Sequence, residues 1–493
     1  MTTIDQPPTP NRAARRAEQR AGGGAPSRRS RKIAAVGSSV VLAASAAAVF
    51  SADSAGAATI VVTSTADSGA GSLRDALANA NDGDIIDLTA LSGTIVLASE
   101  LAIDDAVTIT GPGASTLTIS GNDAVRVFHM NNTITGAQTV TITGVTIADG
   151  EAGGNAGGGI RWDCQNANNN SLVLDGVVVV GNNADALGGG LYFDRCGTGD
   201  FIISNSVVSN NTTSGSSGGG IWFDDSDQLI IINSTIAGNT AAQAAGGIIF
   251  DNGGELVIRN STISGNNALG SVGGGLYLND ASAGATIANS TFAGNTADDN
   301  GGGIAVSNSD ITLLQTTISG NTATNGIGDG LYLQGGVSGD DAGAQGDNDI
   351  TAQDAGVVII TGTIIAGNAD GTDDVASYYG GEITAAFATA TSDHSVFGTV
   401  NGVDITDTGG TQVGVTNPGL GALAFNGGPT QTMALLTGSP AINTGPVPVP
   451  TFPGNEFDQR GTGFARVVDG VVDVGAYEVQ PPPVIVIVPA FTG

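Results

Sequence analysis

The chain is short of most of what a compact enzyme is built from. Of its 493 residues only two are Cys and two are His, aromatics make up 4%, and Lys plus Arg number 15 against 46 acidic residues. The wide spacing of Cys164 and Cys196, with no His nearby, excludes a CxxC redox or zinc site. His129 and His394 are isolated, and no H-E-x-x-H or Ser/His/Asp pattern accompanies them, so both read as structural. A single compact core is excluded by length, since such cores stop growing at roughly 250–300 residues. Glycine is the opposite case, with 78 residues. The absence of a G-x-y period excludes collagen, and 40% hydrophobic content excludes simple disorder. An elongated, repetitive fold with a thin apolar interior remains.

Positive charge is concentrated at the start. Eight of the 15 basic residues are Arg12, Arg15, Arg16, Arg20, Arg28, Arg29, Arg31 and Lys32. An Ala/Val-rich run, Ile33 to Phe50, follows, then Ala55-Gly56-Ala57, which fits an A-x-A cleavage site. Residues 1–57 therefore read as a secretory signal peptide. The alternative, an uncleaved anchor, fits less well because the run is diluted with Ala and Ser. Removing it leaves seven Arg, no Lys and 43 acidic residues, a formal charge of −36. Such a surface repels nucleic acid and anionic lipid. No second apolar run reaches about 18 residues, so no transmembrane segment is expected in the mature chain. An extracellular protein, secreted or attached at the cell surface and monomeric, is expected.

Internal periodicity is the strongest signal. A glycine box followed by an aliphatic residue ends at Ile160, Leu191, Ile221, Ile248, Leu276, Ile304 and Leu331. A second box runs out of phase with it: STIAGN at 234–239, STISGN at 261–266, STFAGN at 290–295 and TTISGN at 316–321. Each period holds three short β-rich runs separated by Gly, Asn and Ser, as in GGLYLND, ATIAN and STFAGN from Gly274 on. Runs of this length and alternation are strands. Three strands per unit predict one coil of a right-handed parallel β-helix, stacked at about 4.8 Å. The fold class expected is therefore all-β, a right-handed parallel β-helix solenoid of roughly a dozen coils with a short N-terminal capping helix. No single unit could fold alone.

Period two assigns the faces. The seven box aliphatics point inward, with Trp162, Phe193, Phe223, Phe250, Leu278, Val306 and Leu333 two residues on. Arg161, Tyr192, Trp222, Ile249, Tyr277, Ala305 and Tyr332 lie between them and are expected to face water. The next outward position holds Asp163, Asp194, Asp224, Asp251, Asn279, Ser307 and Gln334. Cys164 and Cys196 fall just past it on consecutive coils, at a separation that permits a disulfide. Asn205, Asn233, Asn260 and Asn289 stack at one corner. Asn182, Asn211, Asn239, Asn266, Asn295, Asn321 and Asn368 stack at another. Asn suits tight turns, and stacked amides bond along a column, so both columns read as structural.

Residues 72–81, SLRDALANAN, form the clearest helix, with Ser72 and Asp75 as a capping-box-like pair and an apolar face of Leu73, Ala76, Leu77 and Ala80. It would cover the open N-terminal edge. The boundaries expected are 58–150 for this cap and the first irregular coils, 151–397 for the repeats with a loop insertion at 335–356, 398–480 for a C-terminal cap, and 481–493 for a Pro-rich tail.

Several stretches resemble known families. GSLRDA at 71–76 is similar to the CSLREA-type N-terminal region of secreted β-helix proteins, with Gly71 in place of the Cys. The GGGI/STISGN alternation over 157–368 resembles polymorphic outer-membrane-protein repeats and pectin-lyase-like β-helices. FNGGPTQTMALLTGSPAINTG at 425–445, DQRG at 458–461 and DVGAYE at 473–478 resemble the choice-of-anchor Q domain. The resemblance implies a bacterial, secreted or surface-attached β-helix and says little about activity.

Chemistry on such a fold would sit on an outer strand face. Tyr192, Trp222, Tyr277, Tyr332 and Asp163 are the ligand-binding candidates, because aromatic rings stack on sugars and carboxylates bind hydroxyls. Asp194, Asp224 and Asp251 are the only catalytic candidates. Carboxylates one coil apart approach the roughly 5–5.5 Å of a retaining glycosidase pair. A regular column is also what repetition alone produces, so hydrolysis is permitted rather than indicated. Lyase chemistry on uronates needs an Arg or Lys base, and the mature arginines are scattered in sequence; Arg161 and Arg195, near the Asp column, read more simply as its ion-pair partners. Calcium is the ion that stacked Asp would take up; oxygen-rich loops at Asp224–Asp227, Asp298–Asn300 and Asp340–Asp341 are candidates, none of them an EF-hand. The expected function is that of an adhesin-like surface protein binding a polysaccharide, cell-surface glycan or other surface ligand without catalysis. The alternatives are a polysaccharide-degrading hydrolase or lyase using the Asp column, and a calcium-stiffened spacer with no ligand.

Overall fold

The computed structural model describes residues 57–130, 134, 137–165, 169–334, 356–368, 373–378 and 388–481. The expected signal peptide before residue 57, nearly all of the 335–356 insertion and the tail beyond 481 lie outside the described residues. Within them, three sheets are wholly parallel; a fourth, Leu420–Ala424 with Thr432–Leu435, is antiparallel. No helix among the described residues is long and apolar enough to cross a membrane.

One coil shows how the boxes become rungs. From Leu276 the chain forms strands Leu276–Asn279, Gly284–Ala288, Thr291–Ala293 and a two-residue rung, Thr296–Ala297. The first three are the strands expected from the sequence. The fourth is an addition: its inward residue is small on successive coils (Ala241, Ala268, Ala297, each fully buried), which lets the chain round a narrow corner. Repeated coil by coil, these strands make a G-box ladder, a second ladder, a third ladder of 11 strands and a minor ladder of 7. Register is strict. Leu191 pairs with Ile221, Ile221 with Ile248, Ile248 with Leu276, Leu276 with Ile304, and Ile304 with Leu331. In the third ladder Thr235, Thr262, Thr291 and Thr317 lie in one row. Every box therefore rests on its predecessor.

The inward assignments hold. All seven box aliphatics are fully buried, and one apolar cluster runs from Val62 to Val403. The scarce aromatics gather in it: Phe223 stacks on Phe250 at 5.1 Å, and Phe201 packs edge-on to Phe223 and Trp162. Both asparagine columns serve the backbone. The Nδ2 of Asn211, Asn239, Asn266, Asn295 and Asn321 each donates to the Oδ1 of the next Asn at 2.9–3.0 Å and to a main-chain carbonyl of the coil before. The amides thus point one way, and the column ends where Asn368 donates to the Asp374 carboxylate at 2.8 Å. Asn205, Asn233, Asn260 and Asn289 occupy the left-handed region, φ 50–53°, where a tight corner needs it.

The helix spans Leu73–Asn79, two residues shorter at its end than the sequence suggests, because Ala80 turns extended. Ser72 caps it, accepting from the Asp75 amide at 3.2 Å, and Leu73, Ala76 and Leu77 enter the main core over the first rungs. At the other end the ladders persist through Val400–Asn401 and Val403–Gly409. The residues that follow first extend the third ladder, Gln412 bridging Val396, and then run back along a flank. Thr262 donates to the Gln431 carbonyl at 2.6 Å, Thr291 to Gln459 Oε1 at 2.6 Å, and the Ala476 amide donates to Thr317 at 2.9 Å. Beneath lies a buried charged network. Arg466, fully buried, bonds Asn289 and donates to the Gly475 carbonyl at 2.8 Å. Arg460 pairs with buried Asp458 at 2.6 Å and lies between the Phe464 and Tyr477 rings, 4.0 and 3.8 Å from their centroids.

Candidate functional site

The outward side of the G-box strands carries the candidate residues, and here the structure corrects one expectation. Tyr192, Trp222, Ile249 and Tyr332 were expected to face water; they are 8%, 6%, 4% and 6% exposed, and Tyr277 is half-buried. The alternation rule is obeyed, since these residues do point away from the main core. They are buried because the loop entering each glycine box folds back over them, forming a small outer cluster in which Ala156, Leu187 and Ala245 meet Tyr192, Trp222, Ile249 and Tyr277. The glycine box is the condition for this. Gly218 is left-handed (φ 72°), and a Cβ there would meet Ile249 and Trp222 side chains at 3.1 and 3.2 Å. A Cβ on Gly219 would lie 2.5 Å from the Thr240 carbonyl, and one on Gly220 2.6 Å from the Gly247 carbonyl.

The Asp row behaves differently from coil to coil. On two coils the chain runs on from the G-box ladder into the second ladder as one strand, Leu191–Ser204 and Ile221–Ile232, with register shifts between Asp194 and Asp200. The Cys164–Cys196 disulfide is present, Cα–Cα 4.7 Å, and ties this irregular stretch to the coil before. Asp163 accepts from Arg195 and lies 3.6 Å from Arg161; Arg195 also reaches Asp194 at 3.2 Å. Tyr192 Oη donates to Asp194 at 2.8 Å, Asn252 to Asp224 at 3.1 Å, and Asn279 to Asp251 at 2.6 Å. Asp194, Asp224 and the neighbouring Asp225 bring carboxylate oxygens within 4.8 Å of one another.

This crowding changes their acidity. Burial pushes Asp194 up to about 6, held back by the Tyr192 hydrogen bond and Arg195. Burial pushes Asp224 up to about 8, reinforced by the charges of Asp251 and Asp225. Tyr192 is raised by burial and by Asp194. Three carboxylates with oxygen donors alone fit a hard cation such as calcium, whose charge would offset their repulsion. Of the other proposed calcium loops, Asp298 is engaged by Asn325 at 2.7 Å, and Asp340–Asp341 lies outside the described residues.

Arg161 and Arg195 lie beside this row as the ion-pair partners expected from the sequence; the cations of the rung before them are what sequence reading missed. His129 aligns with Arg161 in the ladder, as Arg161 does with Tyr192. His129 Nδ1 lies 3.2 Å from Glu100, which also takes Arg126 at 2.5 Å; Arg126 is buried and donates to the Ala156 and Gly157 carbonyls. The Arg161 guanidinium is 5.9 Å from the Tyr192 ring centroid. Arginines scattered in sequence, and a histidine that read as isolated, therefore share one face with the Asp row. The rung at Phe128–Met130 follows no glycine box, so the repeat gave no register for it. Counting 32 residues back from Arg161 would have found it. His394 is elsewhere, beside Asp393 at 2.6 Å.

The family described as right-handed beta helix region matches residues 133–339. No curated protein sequence matches the chain. Among solved structures, pectate lyase Pel9A is similar at 13% identity over 86% of this chain and 98% of its own, with a TM-score of 0.47. The alginate lyase AlyF-OU02, in a complex structure with G6, is similar at 12% identity over 74% and 88%, TM-score 0.37. A mannuronic acid specific polysaccharide family 6 lyase from human gut microbiota is similar at 13% over 71% and 83%, TM-score 0.30. At this distance the likenesses carry nothing about activity. The chain is an all-β, right-handed parallel β-helix, with its charged face on the G-box side.

Proposed function

We propose that the protein is a secreted or cell-surface β-helix protein that binds a polysaccharide or cell-surface glycan on the G-box face without catalysis. One observation supports this reading above others. Side chains of both signs, Arg161 and Arg195 with Asp163, Asp194 and Asp224, converge on three consecutive rungs of a chain whose formal charge is −31. Alternating donors and acceptors at this spacing suit hydroxyls along an extended sugar chain. The outer rings contribute less than their number suggests, because the loops cover Tyr192, Trp222 and Tyr332; among them half-buried Tyr277 is the ring most open to a sugar. The choice-of-anchor Q-like segment would serve attachment at the surface. A glycan array with intact protein tests the proposal. Binding that falls at least about tenfold in Asp163→Asn and Arg195→Ala, with no reducing ends released from a polysaccharide panel, is the expected result. Silent arrays would overturn it.

A catalytic reading has one observation in its favour. Asp194 and Asp224 lie on consecutive rungs and hold protons near neutrality, as a general acid must. Release of sugar from the panel, lost in Asp194→Asn or Asp224→Asn, would establish it.

A further inference from the structure

The segment that runs back along the flank shares only a small apolar cluster with the rod. It lies at one end, where Leu435, Ala441 and Val474 meet Ile364, Ala366 and Val396. Over the coils before that, hydrogen bonds join the two. Thr430 donates to the Asn260 carbonyl at 3.2 Å, Gln459 Nε2 to the Ser261 carbonyl at 3.1 Å, and Asn289 Nδ2 to the Phe457 carbonyl at 3.1 Å, beside the contacts of Thr262, Thr291 and Thr317. A stretch with few apolar contacts opens more easily than the ladder beneath it.

The charges buried in this segment do not balance. Asp458, Asp473 and Glu478 are each at most 1% exposed, against two guanidiniums, Arg460 and Arg466, at 5% and 0%. Asp458 and Arg460 form a closed pair: Arg460 Nε and Nη2 donate to Asp458 Oδ2 at 3.0 and 2.6 Å. Arg466 is left to serve two carboxylates and bonds neither closely. Its Nη1 donates to the Gly475 carbonyl at 2.8 Å and is 3.9 Å from Glu478 Oε2, its Nη2 bonds Asn289 and the Ala476 carbonyl, and its Nε has no partner. Asp473 accepts from the Asn443 and Val479 amides, both at 2.7 Å, and Glu478 accepts from the Asp473 amide at 2.8 Å. From the rod, Asn260, Asn289, Thr291 and Thr317 face this segment without charge, and Arg259 reaches the Pro453 carbonyl at 3.4 Å. Glu456 and Asp469 of the same segment are exposed.

Three buried carboxylates beside two guanidiniums leave one negative charge uncompensated, so the docked segment holds a proton in place of the missing cation. Glu478 is the group that holds it. Its carboxyl has one amide and no close cation, and burial pushes it up to about 8, with Asp473 and Asp458 adding to the rise against the Asp473 amide and Arg466. An ordinary Glu, open to water, releases that proton near 4.5. Docking therefore takes up a proton; the stability this adds is present in acid and is lost as pH rises through the docked value. We propose that the flank segment is a pH-operated latch, closed on the third ladder in acid and opened by alkali while the β-helix stays folded. Opening would uncover Thr262, Thr291 and Thr317 and free the stretch that carries the choice-of-anchor Q-like motifs. The latch lies away from the G-box face and stands apart from the glycan reading.

The arginines provide the readout. Trypsin must draw an arginine side chain into its specificity pocket, and the chain has no Lys after Lys32. In the full chain, cleavage after buried Arg460 and Arg466, timed against a small Arg substrate at each pH, follows opening of the latch, and cleavage after buried Arg126 follows unfolding of the rod. The wild-type rate after Arg460 and Arg466 is expected to rise about tenfold per pH unit up to about pH 8 and then level off, with Arg126 uncut. In Glu478→Gln the rate should stay at its low-pH value throughout. Glu478→Met, also uncharged, is the second variant should Glu478→Gln fail to fold. Asp224→Asn, on the G-box face, should keep the wild-type slope. A wild-type rate that does not change with pH, the same rise in a folded Glu478 variant, or cleavage after Arg126 at the same rate would overturn the proposal.

Discussion

The G-box face and the third-ladder face are made by the same rungs, and they differ in what happens between the strands. On the G-box side, loops vary in length, fold back over Tyr192 and Trp222, and carry the charged residues that gather around Asp163 and Asp224. On the third-ladder side the strands are two to four residues, from Thr146 on each is entered by a two-residue turn, and the outward positions are small or β-branched. Irregular loops concentrate chemistry, because they break the rule that each coil repeats its neighbour. Uniform rungs concentrate shape, because every coil adds the same element to one surface. The C-terminal segment exploits the second property, docking on Thr262, Thr291 and Thr317 as a row.

Three substitutions probe this contrast. The largest effect is expected from Arg466→Met under the covered flank. The arginine is fully buried, and its loss leaves Glu478 and Asp458 without its charge; breaking such a buried arrangement costs about 3–5 kcal/mol. The C-terminal segment should become protease-sensitive while the fluorescence of Trp162 and Trp222, both on the G-box strands, is unchanged. Simultaneous loss of both signals would show that the two sides unfold as one unit.

Asn266→Ala should come next, because its column lies between the two faces. It removes the acceptor for Asn239 and the donor to the Ile236 carbonyl, and unmet buried partners cost about 1–3 kcal/mol. Urea unfolding followed by tryptophan fluorescence and by proteolysis of the C-terminal segment should shift by the same amount.

The smallest effect concerns the G-box side alone. Folded Asp194 and Asp224 keep protons up to about 6 and about 8, whereas an unfolded Asp releases its proton near 3.8. The folded state therefore binds more protons across that window. The stability these groups contribute is present at low pH and is lost as pH rises through their folded values. Melting temperature should fall between about pH 4 and about pH 8, and by less in Asp224→Asn. Glu478, which burial pushes up to about 8, adds the same sign on the flank and should persist in the variant. Calcium should raise the wild-type melting temperature at high pH and leave Asp224→Asn unmoved. A pH profile identical in wild type and Asp224→Asn would exclude the Asp cluster as its source.

Much of the fold was legible because repetition tests itself. Seven boxes at nearly constant steps fix the register, the inward aliphatics, both asparagine columns and the Cys164–Cys196 pair. The site was legible only in part. Alternation gives the side a residue points to, not what lies over it, so the cover on Tyr192 and Trp222 was invisible. His129 and Arg126 escaped because their rung has no glycine box. The docking of the C-terminal segment escaped because its contacts join residues 159–198 positions apart, as in Thr317 with Ala476 and Gln459 with Ser261, with no period to announce them.

The amino-acid sequence by itself determined the stacked coils, since identical short strands can bury their thin apolar faces only against one another. The tertiary structure decided which outward residues are open. That depends on where loops and the C-terminal segment come to rest, a matter of packing between stretches that share no pattern.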